Sequence, residues 1–457
     1  MKTKMNLTLH IGLDDTDSIL GGCTTYIGAL IIEELLLRGN IRFLDYPNLI
    51  RLNPNIPWKT RGNGAVAIRI RTNEEEVDNI KKTVIRKVVK YSEMHRKGTE
   101  PAIAILKGKI PDAVKTLTKK ALTQVVPIKN AEKVAEKNKI ELITFNGKRG
   151  IVGAIGAIGE PLTKDYTYEL LTYRISKNYG TERKIERESV YKMDLKMTSD
   201  TFGNIDPETG RILITPRGPD PVLYGIRGEN PKVLLKAKSM IKANEPIDRW
   251  TIYRTNQGTD AHLRKIKKIR EIKPYDSIGI RGIVDTLPIV IKGGHVIFKI
   301  TDGSCSIDCA VFKPTGKMTE IASRLMPGDI IEIFGGAKPN KGNSLTINIE
   351  KLRILKLTIK NQMVNPKCPK CGTTMKSEGK NKGFQCPKCK YRANVKKNLK
   401  VVPRKILEGL YIPPPRAHRH LTKPSIRYGK EKTRRPRKMI EQWYWSKKIT
   451  KMPIRES

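Results

Sequence analysis

Asp14, Asp15 and Asp17 fall within four positions, directly after the apolar run Leu7 to Ile11, and Gly21-Gly22-Cys23-Thr24-Thr25-Tyr26 follows at the start of a helical pattern. Carboxylates this close repel one another unless a cation joins them. Glycines let backbone N–H groups approach phosphate oxygens, and a helix start adds favourable partial charge. Strand, acidic turn, glycine loop and helix together predict ATP bound through Mg2+, with Asp14, Asp15 and Asp17 in the catalytic group and Gly21, Gly22 and Thr24 beside the phosphates. No Gly-Lys-Ser/Thr follows, so this is not a Walker loop. The plain alternative is an Asp-rich turn that caps a helix, for which one such residue would do. Farther on, Lys148 and Arg149 could also meet phosphates, and Asp165, after the glycine-rich helix Gly150–Gly159, is a candidate for a further metal or catalytic carboxylate.

The second chemical constellation is Cys368-Pro-Lys-Cys371 and Cys386-Pro-Lys-Cys389, two CxxC knuckles separated by fourteen residues. That spacing places four thiolates around one structural Zn2+. Gly372, Gly379 and Gly383 supply turns between the knuckles, and Phe384 can cover the metal. Zinc contributes ~10–16 kcal/mol in small domains, so a ribbon without a core of its own can fold. Cys305 and Cys309 read as ordinary barrel residues; Cys23 belongs to the glycine loop.

Charge indicates what the ribbon presents. The 457 residues carry 89 Lys and Arg against 45 Asp and Glu, and residues 361–457 alone carry 27 against 5. Such an excess predicts a polyanion, RNA above all, at the C-terminal end. No apolar run is long enough to span a membrane, and paired CxxC spacing suits metal ligation in a reducing compartment, so a cytoplasmic location is expected.

These sites need elements to hold them, and the length predicts several domains. Short strands at Leu7 to Ile11, Ala65 to Ile70 and Ala102 to Leu106 alternate with helical stretches, one beginning after Thr24 and closing near Gly39, which predicts an α/β domain over 1–160. Residues 161–262 read as a ferredoxin-like βαββαβ unit, with strands around Ile212–Ile214, Val222–Ile226 and Trp250–Tyr253 and a helix over Pro231–Ile241. Five period-two runs in 270–357, with a helical stretch from Met318 to Leu325, predict an OB-fold barrel, an SH3-like barrel being the competitor. A zinc ribbon at 363–395 and a basic, proline-rich arm at 396–457 follow. In the arm, Trp443, Tyr444 and Trp445 either anchor it on the body or stack on a base.

The chain resembles the archaeal tRNA 2-agmatinylcytidine synthetases (TiaS family), which attach agmatine to the wobble cytidine of the isoleucine tRNA that reads AUA codons. The resemblance rests on Gly12–Ser18 with Gly22–Tyr26, on Asp165-Tyr166-Thr167-Tyr168-Glu169-Leu170, on Asp220-Pro221-Val222-Leu223-Tyr224-Gly225-Ile226-Arg227-Gly228, on Thr255-Asn256-Gln257-Gly258-Thr259-Asp260-Ala261-His262, and on the barrel and ribbon. It implies a multidomain α+β protein with a kinase-like N-terminal domain that cleaves ATP to AMP and phosphorylates the cytosine 2-oxygen, after which agmatine displaces the phosphate. It implies a self-phosphorylated threonine matching Thr25, with Thr24 the adjacent possibility; an N-cap role would suit Thr24 better. It also implies a pocket for agmatine, whose guanidinium requires carboxylates or carbonyls in a fork. Asp206, Glu208 and Asp220 are candidates by charge, and each could equally be a turn residue. The competing readings are an RNA-binding kinase with another acceptor, and a non-catalytic OB and zinc-ribbon protein, which would leave the first 260 residues without a purpose.

Overall fold

The computed structural model describes residues 5–340, 342, 344–434 and 438–449. The first apolar run forms the strand Leu7–Asp14, paired antiparallel with Gly64–Thr72 on one side and Ala102–Lys107 on the other. Period-two alternation decides what each face meets. In Ala102–Lys107, Ile103 and Ile105 join the core containing helices α1 (Thr24–Leu36) and α2 (Val77–Tyr91). Ala102, Ala104 and Leu106 join the core on the other face, with α3 (Asp112–Thr123), α4 (Ile128–Lys137) and α5 (Gly150–Gly159). Helix α5 lies close on the first strand and on α3 because glycines at the contacts permit it. A Cβ on Gly12 would stand 2.0 Å from the Ala154 carbonyl oxygen, and one on Gly159 2.2 Å from the Thr118 hydroxyl. Helix α1 ends earlier than expected: its C-cap is Leu37 in an ordinary right-handed conformation, and Gly39 lies beyond it.

The next unit runs Thr167–Arg174, α6 (Arg187–Met197), Thr201–Phe202, Val222–Gly228, α7 (Pro231–Met240) and Ile247–Thr255. Its strands lie in the spatial order fourth, first, third, second, with every neighbour antiparallel, which is the ferredoxin-like arrangement. The second strand is Thr201–Phe202, not the expected one around Ile212–Ile214. Residues 204–214 instead fold back on themselves, with the Asp206 amide on the Arg211 carbonyl at 2.8 Å and the Leu213 amide on the Asn204 carbonyl at 2.8 Å. Ile212 makes one isolated bridge, and the apolar signal at Ile214 comes from its burial in the core. The two units share one sheet: Arg254 and Thr255 pair in parallel with Asn48 and Leu49 of the strand Asn48–Arg51.

The strands Ser277–Val284, His295–Thr301, Ser306–Val311, Ile330–Pro339 and Leu345–Lys356 close a barrel in the order one, two, three, five, four, one. The parallel pairing of the third and fifth strands, and helix α8 (Lys317–Ser323) between the third and fourth, make it an OB-fold, not an SH3-like barrel. Cys309 is buried inside it and Cys305 is exposed. An antiparallel pair, Asn361–Val364 with Asn398–Val401, carries the ribbon, and the chain then returns to the barrel, where Gly409–Tyr411 pairs with Leu345–Lys356. Beyond Ile406 the arm packs at intervals on the barrel and on the body. Its strand Tyr444–Ser446 pairs with Ile247–Thr255, and Trp443 and Tyr444 are buried, so these aromatics anchor the arm. Arm residues 435–437 and 450–457 lie outside the described residues.

Candidate active site and zinc centre

A cavity of about 790 Å3 opens where the strand Asn48–Arg51 joins the two halves of the large sheet. The acidic turn forms one side. Asp14 ends its strand with the carboxylate over α5, where a Cβ on Gly153 would stand 1.7 Å from Asp14 Oδ2. Burial, reinforced by the neighbouring Asp15, holds the Asp14 carboxyl well above the usual range. Asp15 adopts a left-handed φ of 56°, and its carboxylate accepts from Arg149 Nε at 2.9 Å and from the Glu100 amide at 3.2 Å. Burial raises the Asp15 pKa against the opposing pull of Arg149.

Asp17 accepts from Arg61 Nε at 2.8 Å. The same guanidinium donates to the Gly22 carbonyl at 2.6 Å and pairs with Asp220 at 3.2 Å. Arg61 therefore ties the glycine loop to the ferredoxin-like unit across the cavity. The N-cap of α1 is Cys23, not Thr24. The Thr24 hydroxyl lies 2.9 Å from that of Thr16, the Thr25 hydroxyl lies 3.0 Å from Cys23 Sγ, and Tyr253 donates to the Thr25 carbonyl at 2.6 Å. The cavity is also lined by Glu169 and Arg227, directly paired across neighbouring strands, together with Arg51 and His420.

The four cysteines of the ribbon converge, with their sulfurs within 4.8 Å of one another. Cys368 and Cys386 are buried and Phe384 packs beside them. Gly372, Gly379 and Gly383 all have positive φ, and a Cβ on Gly383 would stand 2.6 Å from the Ala393 carbonyl. Four sulfur donors and no open position fit a structural Zn2+.

Residues 10–147 match the TiaS TCKD domain, 148–262 the TiaS FLD domain, 278–355 the OB-fold nucleic acid binding domain and 365–406 the TiaS C-terminal zinc ribbon domain. The chain belongs to the TiaS family. The isoleucine-tRNA 2-agmatinylcytidine synthetase TiaS of Staphylothermus marinus is 44% identical over 94% of this chain and 95% of its own length. That of Pyrococcus horikoshii is 44% identical over 92% and 97%. Among solved structures, a TiaS complex with its isoleucine tRNA and ATP superposes with a TM-score of 0.82 at 36% identity, over 92% of this chain and 98% of that one. A TiaS complex with the same tRNA, AMPCPP and agmatine gives 0.80 at 34% identity, over 92% and 98%.

Within the TiaS fold, the predicted site residues divide. Asp14, Asp15, Asp17, Thr24, Thr25, Arg149 and Asp220 line the one cavity, and Gly21 and Gly22 face it through carbonyls directed at Arg61. Lys148 pairs with Glu132 on the surface. Asp165 lies elsewhere: its carboxylate holds Arg427 at 2.8 Å and faces Lys423. Asp206 and Glu208 grip Arg416 at 2.9 and 2.6 Å, and Asp206 also accepts from the amides of Glu208 and Thr209, which makes it the turn residue its Pro neighbour suggested.

The cavity residues that sequence reasoning missed are Arg51, Arg61, Glu100, Glu169, Arg227 and His420. Glu169 and Arg227 stood inside the segments already singled out. Arg61 sits in the basic, glycine-rich stretch from Lys59 to Gly64, which was a usable signal. Nothing local marks His420. Among the described residues no helix is long and apolar enough to cross a membrane.

Proposed function

We propose that this chain joins agmatine to carbon 2 of the wobble cytidine in the isoleucine tRNA with a CAU anticodon, forming 2-agmatinylcytidine so that the tRNA reads AUA. The observation that carries the reading is the meeting, in one cavity, of the acidic glycine loop with Asp220 and Arg227 of the segment shared with the family. A carbonyl oxygen is a poor leaving group. ATP is cleaved to AMP: one of its two outer phosphoryl groups passes to the cytosine 2-oxygen, and the other leaves as inorganic phosphate with the oxygen of a water. The amine of agmatine then bonds to carbon 2, the cytosine-bound phosphate departs with that oxygen, and the amine gives up a proton.

Asp14, Asp15 and Asp17 are the residues that would hold Mg2+. The fit is supported by Asp14: burial and the charges of Asp15 and Asp17 hold its carboxyl well above the usual range, a cost that a bound cation would relieve. When bound, the metal neutralises charge on the triphosphate. Arg149 and the Thr24 end of α1 face the phosphates, and Thr25 is the self-phosphorylated hydroxyl. Asp220, the one agmatine candidate that lines the cavity, is assigned to the guanidinium or amine of agmatine, which would share it with Arg61 and Arg183. Asp206 and Glu208, already neutralised by Arg416, and Asp165, neutralised by Arg427, are assigned to holding the arm.

In this division of labour, residues 1–160 activate ATP and 161–262 complete the pocket. The OB-fold at 270–357, the ribbon at 363–395 and the arm from 396 grip the tRNA, in the cytoplasm. AMP formation in reactions that each lack one component tests the reading. AMP with a modified anticodon should require tRNA and agmatine together. Steady ATP turnover indifferent to both would favour a kinase with another acceptor, and tRNA binding without any turnover would favour a binding protein.

A further inference from the structure

The cavity contains a cation, Arg51, that no carboxylate pairs with directly among the described residues, Glu169 and Asp17 acting on it only at a distance. Arg51 ends the strand that joins the two halves of the sheet, and its backbone is fixed by Asn256, which accepts from the Arg51 amide and donates to its carbonyl, both at 2.9 Å. Its guanidinium lies over Gly62 and Gly64, where a Cβ would stand 2.5 and 2.7 Å from Nη1. The only side-chain hydrogen bond it makes among the described residues is a long one, Nη1 to the Gly62 carbonyl at 3.4 Å, and Nε is buried with no partner. Deeply placed arginines nearby are treated otherwise: Arg174 has Glu245, Arg249 has Glu33, Arg254 has Asp45 and Arg427 has Asp165 and Glu229. Arg51 is partly buried, and its unpartnered Nε leaves a donor that an anion entering the cavity can meet.

Two further groups face the same space. Arg227 is bound on one side by Glu169 at 3.0 Å, and on the other it donates to His420 Nδ1 at 3.3 Å. His420 comes from the arm, which is held in place by the Gly258 amide on the His420 carbonyl at 2.9 Å. With Nδ1 accepting, the ring carries its proton on Nε2, which lies against Gly62. Arg51 first, then burial, then Arg227 and Arg419 keep this imidazole neutral; Glu169 is spent on Arg227 and Gln257.

We infer that Arg51, Arg227 and His420 form a phosphoryl-binding subsite in the same cavity as the acidic turn, completed by the C-terminal arm. Its ligand is a phosphate group, from the nucleotide or from the RNA backbone beside the reacting base; taking that phosphate to come from a reaction substrate rests on the ligase reading. Three donors lining one cavity suit the oxygens of a phosphate, and the glycines at 62 and 64 leave room for the Arg51 guanidinium and the His420 ring.

Isothermal titration of the full chain separates the two sources, with AMPCPP in one arm of the experiment and an unmodified tRNA transcript in the other, for wild type and for Arg51→Gln, Arg227→Gln and His420→Asn. Removing one charged hydrogen bond to a phosphate should weaken binding roughly ten- to hundred-fold. Loss confined to AMPCPP in both Arg51→Gln and His420→Asn assigns the nucleotide; loss confined to tRNA assigns the backbone. His420→Asn keeps the test open if Arg51→Gln misfolds. Binding within twofold of wild type in both arms overturns the inference, and so does an equal loss in both arms accompanied by a lowered melting temperature. Product formation by wild type is followed in parallel: if it fails while the selective binding loss persists, the ligase reading falls and the subsite stands.

Discussion

At the scale of single residues, the site is a set of charges held by close backbone approach. Gly153 leaves room for the Asp14 carboxylate, so Gly153→Ala should push Asp14 from its place and lower product formation at least ten-fold, with a modest loss of thermal stability. Asp15→Asn should abolish product while tRNA affinity stays near wild type; if it instead unfolds the protein, its assignment to the chemistry loses support. Asp165 has a different part. It and Glu229 are bridged by Arg427, which is 1% exposed, so Arg427→Met should destabilise the fold by about 1–3 kcal/mol in a denaturant titration, Lys423 and Lys432 remaining beside the two carboxylates. The sequence showed which carboxylates cluster locally. It did not show that an arginine 262 residues away neutralises Asp165, because a distant ion pair leaves no periodic signature.

At the scale of elements, period-two and helical patterns were legible wherever one face was consistently buried. All five barrel runs, α5 and the helix from Pro231 stand where the pattern put them, and α1 starts where expected but closes before Gly39. The strand expected around Ile212–Ile214 failed because a short apolar pair buried from a folded-back loop looks the same as a strand. The ribbon was legible because metal geometry dictates spacing. Removing zinc with a chelator should unfold residues 365–401 alone, leave the melting of barrel and body unchanged, and weaken tRNA binding; a loss of barrel secondary structure in circular dichroism would contradict this. The arm also carries a pH dependence. Burial depresses the His418 pKa to about 4, and its Nε2 contacts the Pro413 carbonyl at 2.8 Å. The unfolded chain takes up this proton near pH 6.5 and the folded chain only near 4. Stability should therefore fall as pH drops through that window, and His418→Gln should flatten that part of the profile, whereas identical pH profiles for the two proteins would refute the assignment.

At the scale of the whole molecule, charge and chemistry lie at opposite ends of the sequence and are brought together by the arm's return. The ribbon and barrel extend a basic surface, while the arm crosses back to place His420 in the cavity and Tyr444 on the sheet. tRNA affinity should fall steeply with salt, and replacing a ribbon lysine that meets a phosphate should reduce the slope of log affinity against log salt by about one for each phosphate no longer neutralised. Substituting Asp15 should leave that slope alone. The most direct test of the central claim is mass spectrometry of the anticodon nucleosides after the chain has been incubated with the CAU isoleucine tRNA, ATP, Mg2+ and agmatine. The expected result is 2-agmatinylcytidine at the wobble position, with AMP formed alongside. An unmodified cytidine, or a phosphorylated one that never acquires agmatine although ATP is consumed, would contradict it.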